Sequence, residues 1–529
     1  MLQITLVTSK PQLLNKSPWL ALLFLLVWPF SGLAQQRDSS VTVAAGEQYL
    51  RSGFHQFWWG KHYRKVWAEP VEVPLIFMDQ YKGGVVPVKQ GGSFQTKNLR
   101  LEDSLGREFV LRSIDKDPSK ALPASLRKTF IANIMRDQTS VIHPYGAFLV
   151  PVLADAAHVY HTNPRLVFIP DDPALGKFRA EFANTLALLE ERPDGKSWNR
   201  HANFGNPERI VSSKKAFQEL LKSPSHQVNA RRYLRSRLFD MWLSDWSRRE
   251  DQWRWGVAEG EVVTFSPIPR DRDHAFFKFS DGVLTRLMTL FKPNYQSFDH
   301  TITAKNVKGL MGASEQMDSY LLAYVTKDDF MAESQELQQR LTDEVIETAL
   351  SRWPSQIQEM SSQEFRSKLK ARRADLPKAA EAFYALLNKE VKLAGSDGKD
   401  IFDLQFNPDG SVLVQYWSNL KGEQEVKIGQ KLFHPSETKS LAIYGLGGSD
   451  ELKLSGTGKN KIKVSWYGGA GENNLKTADG WNITGKDVVL YDEGAGNAYP
   501  KGKMLKVKEY NPLAREFSAE GWLLRHRLD

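Results

Sequence analysis

The spacing of apolar and polar residues changes character three times along this chain. Between residues 83 and 117 two glycine pairs flank short β-type runs, and LRLEDSLGREFVLRS alternates with period two. That alternation predicts a hairpin turning at Ser104 to Gly106. Pro123 to Ser140 predicts a helix with Asp137 near its end. Residues 214 to 246 predict another, with Leu234, Leu238, Met241 and Trp242 at helical spacing. From Asp318 to Lys392 the pattern is that of amphipathic helix interrupted at Pro354 and Pro377. Past AGSDGK (Ala394 to Lys399) strand and turn signals return, and FDLQFNPDGSVLVQYW predicts a hairpin with NPDG at its tip. A repeat then sets in: LAIYGLGGSD, VSWYGGAGEN and VVLYDEGAGN place Tyr444, Tyr467 and Tyr491 at intervals of 23 and 24 residues. Such a period predicts a short β-solenoid or stacked hairpins.

Composition narrows this picture. A length of 529 residues predicts two or three domains. The formal charge of +9 is spread along the chain without dense Lys/Arg runs, so nucleic acid is not an expected partner. Lys10 and Lys16 precede an apolar core, Trp19 to Phe30, and small residues Gly32 and Ala34 follow. This is the pattern of an export signal over residues 1–34, and no other stretch approaches a membrane span. With no cysteine the chain has no disulfide, no thiol chemistry and no cysteine-ligated zinc. The expected location is the periplasm or exterior of a Gram-negative bacterium.

Residues 35–82 form an aromatic-rich segment, with GFHQFWWGKHYRKVW at its centre. Packing as an aromatic clasp is the expectation; a carbohydrate platform or a metal site at His55 and His62 is the alternative. In the C-terminal repeats, Asp450, Glu472, Asp492 and Glu493 are candidate calcium ligands beside the glycine turns, against a plain structural repeat. The densest candidate chemistry runs from Leu238 to Phe279, where the loop SDWSRREDQW and the later cluster IPRDRDHAF flank β-type residues Val262, Val263 and Phe265.

Two acid-bearing loops at that separation, after a glycine-rich hairpin and before a helical region, resemble the atypical kinase-like fold of spore-coat protein H-type, secretory-pathway and HipA-type kinases. The resemblance covers about residues 83 to 390 and implies an α+β architecture. A β-rich N-lobe and a helical C-lobe (83–395) would be followed by a small all-β repeat domain (396–529). It implies a lid at Gly91 and Gly92, with Arg112 or Lys116 as the phosphate-contacting base. Asp137 or another acid in the following helix would orient that base, and Glu190 and Glu191 would stand near the hinge. Arg248 matches the family arginine, Gln252 falls on the metal-ligand position five after Ser247, and Asp271 matches the metal-binding aspartate, with Ala275 and Phe276 completing DxxxAF. The implied cofactor is ATP with Mg or Mn.

One position departs from the family. Ser247 stands where the catalytic aspartate belongs, and serine is no base at neutral pH. Asp245, Glu250 and Asp251 are the nearest substitutes. The chain also resembles exported proteins of Bacteroidetes-type bacteria through GFHQFWWGKHYRKVWAEPVEVP, HPYGAFLVPVLADAA and LLEERPDG. Such relatives are fused to phosphoesterase or outer-membrane barrel domains, whose motifs are missing from this sequence. Two functions follow as expectations. One is an exported kinase-like phosphotransferase, active or degenerate, acting on a protein, carbohydrate or lipid-linked hydroxyl. The alternative is a non-catalytic binding or scaffold protein of the cell envelope. A hydrolase is disfavoured, since neither GxSxG nor HExxH occurs.

Overall fold

The computed structural model describes residues 39–91, 96–419, 425–492, 497, 499–500, 502–509 and 518–528. The expected export signal, Gly92 and Glu493 therefore lie outside the described residues. The fold is mixed α+β. Among the described residues no helix is long and apolar enough to cross a membrane.

Strand β1 (Ser40–Ala44) pairs antiparallel with β2 (Pro70–Pro74), and helices α1 (Gly53–Trp59) and α2 (Arg64–Ala68) fill the connection. The expected aromatic clasp forms only in part. Tyr49, Tyr63 and Trp67 are buried in the main core, whereas Phe54, Phe57 and Trp58 on α1 remain exposed.

The alternating run becomes β4 (Asn98–Asp103) and β5 (Glu108–Ser113), preceded by β3 (Val85–Gly91). Asp103 closes the turn, its carboxylate accepting from the Leu105 and Arg107 N–H groups at 2.9 Å. Helices α3 (Phe130–Asp137) and α4 (Val150–Ala156) lead to β6 (Arg165–Ile169); α5 (Arg179–Phe182) leads to β7 (Thr185–Glu191). The five strands form an antiparallel sheet in the order β3-β4-β5-β7-β6. Side chains alternate across it. Leu99, Leu101, Phe109, Leu111, Ala187 and Leu189 enter one core. Arg100, Arg112 and Glu190 fall at the alternate positions, on the opposite face.

The single helix expected over 214–246 is two. Strand β8 (Arg209–Ser212) leads into α6 (Ser213–Lys222), β9 (His226–Val228) intervenes, and α7 (Ala230–Leu243) follows. Pro224 cannot extend α6, and Asn229 starts α7 by accepting the Arg232 N–H on its side chain. The hairpin of β10 (Trp253–Ala258) and β11 (Val263–Pro269) joins them in a sheet ordered β8-β10-β11-β9.

Seven helices come next: α8 (Val283–Phe291), α9 (Ala304–Met311), α10 (Glu315–Leu321), α11 (Lys327–Arg340), α12 (Asp343–Leu350), α13 (Ser355–Ala374) and α14 (Leu376–Asn388). The expected breaks at Pro354 and Pro377 are helix beginnings: Pro354 caps α13 and Pro377 sits in the first turn of α14.

The repeat region is a short parallel solenoid. Its first strand, β12 (Glu390–Ser396), starts six residues before the expected boundary. Strands β13 (Asp400–Phe406), β14 (Val412–Asn419) and β15 (Glu425–Phe433) follow, β13 and β14 being the expected hairpin. Then come β16 (Ser440–Leu446), β17 (Glu451–Asn460), β18 (Lys463–Tyr467), β19 (Asn474–Thr477), β20 (Asn482–Gly485), β21 (Val488–Asp492) and β22 (Leu505–Glu509), and α15 (Ala519–Arg525) ends the chain's described elements. One sheet runs β12-β16-β18-β21-β22, parallel throughout; the other holds β13, β17 and β19 in parallel. The tyrosine period is thus one coil. Tyr444, Tyr467 and Tyr491 stack at 4.6 and 4.7 Å between ring centroids.

Candidate functional site

Helix α7 ends at Ser244, whose left-handed backbone (φ 59°) turns the chain into the 245–252 loop. The β10/β11 hairpin then returns it to the same place, and the Arg270 N–H donates to the Gln252 carbonyl at 2.9 Å. Loops that are twenty residues apart in sequence therefore meet at the base of one hairpin. Two residues there hold left-handed backbone: Asp271 (φ 58°) and Phe276 (φ 64°). For a bulky Phe this is a strained conformation that its surroundings must impose. The Leu243 carbonyl accepts its N–H at 3.0 Å, and the Tyr63 hydroxyl donates to its carbonyl at 2.7 Å.

Of the expected site residues, Arg112, Glu190 and Asp271 come together. Arg112 on β5 forms ion pairs with Glu190 on β7 and with Asp271, the latter at 2.8 Å. Lys116 lies beyond the end of β5 and pairs with Asp273, which also contacts His274 at 3.0 Å. Burial alone would raise the Asp273 carboxyl, but Lys116, His274 and Arg112 hold it well below the usual carboxylate range.

Asp137 goes elsewhere. It accepts two bonds from the Arg64 guanidinium (2.8 and 2.7 Å), one from Arg51 (3.0 Å) and one from His55 (2.9 Å). Its partners are the N-terminal segment, and neither Arg112 nor Lys116 is among them. The reason is packing: Arg64 on α2 is buried beside Asp137 at the end of α3, and a buried guanidinium takes the nearest carboxylate. Burial opposes ionisation of Asp137, yet the hydrogen bonds from Arg64 and His55 lower its pKa.

Asp245, Ser247, Arg248 and Gln252 form one network, each at most 4% exposed. Arg248 pairs with Asp240 and Asp245 at 3.3 Å and donates to the Arg270 carbonyl at 2.9 Å. Its guanidinium carbon lies 4.8 Å from the Trp253 ring centroid. Gln252 accepts from Arg248 through Oε1 and donates to Ser247 Oγ through Nε2, both at 3.4 Å. Burial raises the Asp245 carboxyl, Arg248 pulls against that, and Asp240 adds to it. These side chains fix the loop; none opens onto solvent. Gly91 closes β3.

The sequence reading passed over several residues. Asp240 on α7 is fully buried among three arginines, reaching Arg272 at 2.6 Å and Arg237 and Arg248 at 3.3 Å. A signal existed: Asp240 stands three after Arg237 as the one polar residue of the apolar run Leu238 to Leu243. Arg270 forms no ion pair among the described residues and donates to the Asp251 carbonyl at 3.1 Å. Burial pushes its pKa down to about 9; Arg254 contributes in the same direction and Asp271 opposes. Among the described residues no group of three or more His, Asp or Glu side chains is placed to hold a metal ion.

The calcium candidates in the solenoid have other neighbours. Asp450 Oδ1 accepts from the Asp400 N–H (2.9 Å), Asn473 Oδ1 from the Asp450 N–H (3.1 Å), and Asn497 Oδ1 from the Asn473 N–H (2.8 Å). One acid or amide per coil thus stitches each turn to the next. Glu472 is exposed, and Asp492 accepts from the Tyr499 hydroxyl.

No protein-family model and no curated protein matches this chain.

Proposed function

We propose that this chain is an exported, kinase-like protein that does not transfer phosphate and acts as a binding or scaffold protein of the cell envelope. The kinase-like part of the reading draws support from order along the chain. A five-stranded antiparallel sheet with helix α3 after its third strand precedes a hairpin that carries the two loops, and helices follow. The absence of catalysis rests chiefly on one observation: both side chains expected to hold the metal are engaged by guanidinium groups, Asp271 by Arg112 and Gln252 by Arg248. A divalent cation entering there would stand among fixed like charges. Each pair of unit like charges about 4 Å apart costs roughly 4 kcal/mol near a protein surface, and the ion carries two. The donor set therefore does not fit Mg²⁺ or Mn²⁺. The base is missing as well, because Ser247 cannot accept a proton and Asp245 beside it is sealed from solvent.

The test is calorimetric titration of the exported form with ATP and Mg²⁺ or Mn²⁺, together with a phosphate-transfer assay. Neither metal-dependent affinity nor transfer is expected. Saturable, metal-dependent binding that disappears in Asp271→Ala would overturn the proposal.

A second reading has one observation behind it. Arg270 is half-buried and among the described residues forms no ion pair; Arg254 and Arg112 act on it electrostatically, with Asp271 opposing. A phosphate-bearing ligand gripped by arginines alone would suit that cluster. ATP affinity that persists in EDTA and falls in Arg270→Gln would select this reading.

A further inference from the structure

Helices α1 and α8 come from segments more than two hundred residues apart, yet they are locked together. A Cβ on Gly282 would collide with the Gly60 nitrogen and the Trp59 carbonyl carbon, so the two backbones can touch because position 282 is glycine. Asp281, just before α8, turns inward and accepts the His62 N–H at 2.6 Å. The clamp is firm, but what it displays is apolar. On α1, Phe54 is 78% exposed, and Phe57 and Trp58 are exposed beside it. On α8, Val283, Leu287, Met288, Leu290 and Phe291 are exposed, Phe291 to 78%. Scattered apolar residues on a surface are ordinary; eight on two interlocked helices are not. Met288 also lines an apolar pocket of about 200 Å³, shared with Ile134, Met135, Trp246, Phe277 and Tyr295.

The charges on this face have one sign. Helix α1 carries no acidic or basic side chain except His55, which is turned toward Asp137, and Arg286 is the one charged residue of α8. The residues just past the ends of the two helices are Lys61 and Lys292, and all three cations are exposed. A second copy of the chain docking face to face would set these cations against themselves, because a twofold contact opposes like with like. An anionic bilayer surface fits both halves of the pattern. Aromatic and leucine side chains suit the boundary of headgroups and acyl chains, and a cationic rim suits anionic headgroups.

We infer that the paired helices α1 and α8 form a peripheral docking face for an anionic lipid bilayer. This goes beyond the reading of the cleft and does not depend on it. The test is co-sedimentation of the exported form with phosphatidylcholine vesicles, with and without phosphatidylglycerol. Binding is expected only when phosphatidylglycerol is present. The double substitution Leu290→Ser with Phe291→Ser should weaken it by at least about tenfold, given the area those side chains would bury. Arg286→Glu should weaken it and reduce its salt dependence. Because these side chains point into solvent, the melting temperature of each variant should match the parent, which separates lost docking from misfolding. Absence of sedimentation with either vesicle would overturn the inference, as would undiminished binding by the double variant. A concentration-dependent dimer that the double variant abolishes and lipid leaves unchanged would assign the face to a second copy instead.

Discussion

Both the hairpin-base site and the solenoid bury polar groups, and they solve the same physical problem in opposite ways. At the hairpin base two carboxylates are met by cations: Asp240 lies among Arg237, Arg248 and Arg272, and Asp273 lies between Lys116 and His274, while burial raises Asp245 beside them despite Arg248. Along the solenoid ladder of Asp450, Asn473 and Asn497 the polar groups are neutral or driven toward neutrality. Asn473 and Asn497 carry no charge, and Asp450, filling the same place one coil earlier, is pushed up to about 9 by burial and by Asp400. A singular site assembled from distant segments can supply counter-charges from several directions, as it does for Asp240 and Asp273. At the Asp450 layer the coil before it offers another acid, Asp400, so Asp450 must shed its charge.

The comparison breaks hardest at Asp240. Asp240→Ala would leave three buried arginines short of a carboxylate, and removing one member of a buried ion network costs about 3–5 kcal/mol. Urea unfolding followed by tryptophan fluorescence should register that loss. A cost within about 1 kcal/mol would mean that the network is hydrated and that the contrast with the solenoid is false.

The two regions should also respond to pH with opposite sign. Asp450 has a raised folded-state pKa, so its contribution is full below the usual carboxylate value and is lost as pH rises toward about 9. Asp273 has a depressed one, so its contribution holds at neutral pH and is lost as pH falls below the usual carboxylate value. Hydrogen exchange should show the 440–492 peptides loosening between about pH 5 and pH 9, and the 268–279 peptides around Asp273 loosening in acid. Asp450→Asn sharpens this further. The Asn473 amide donates to the Gly469 carbonyl at 3.2 Å, and an amide at 450 would have the same outlet one coil back. The substitution should abolish the alkaline loosening and stabilise the chain at pH 8, by about 1–3 kcal/mol.

How much of this was legible follows from how each region is built. The solenoid announces itself because its neighbours in space are its neighbours in period: Tyr444, Tyr467 and Tyr491 repeat in sequence and stack in the fold. The β4/β5 hairpin was readable for the same reason, being local. The meeting of the two loops at the β10/β11 base was readable only through a family pattern. The pairing of Asp137 was not readable at all, since whether it answers Lys116 or Arg64 depends on where the N-terminal segment packs, and no local spacing encodes that. Pro224 carried the information that split the 214–246 helix, but strong apolar periodicity on both sides masked it.

The smallest effect tests the ladder alone. Asn473 joins two coils: its Oδ1 accepts the Asp450 N–H, and its own N–H donates to Asn497. Asn473→Ala deletes the acceptor and keeps the donor, so one buried backbone N–H is left unsatisfied, at a cost of about 1–3 kcal/mol. Asn473→Asp keeps the acceptor at the price of a carboxyl in the same buried place. If the solenoid tolerates polar groups only when they are neutral, the aspartate variant should match the parent near pH 4 and fall toward the alanine variant by pH 9. If both variants lose equally at every pH, the geometry of the amide, and not its neutrality, is what the coil requires. Asp450 would then be tolerated for a reason local to its own layer.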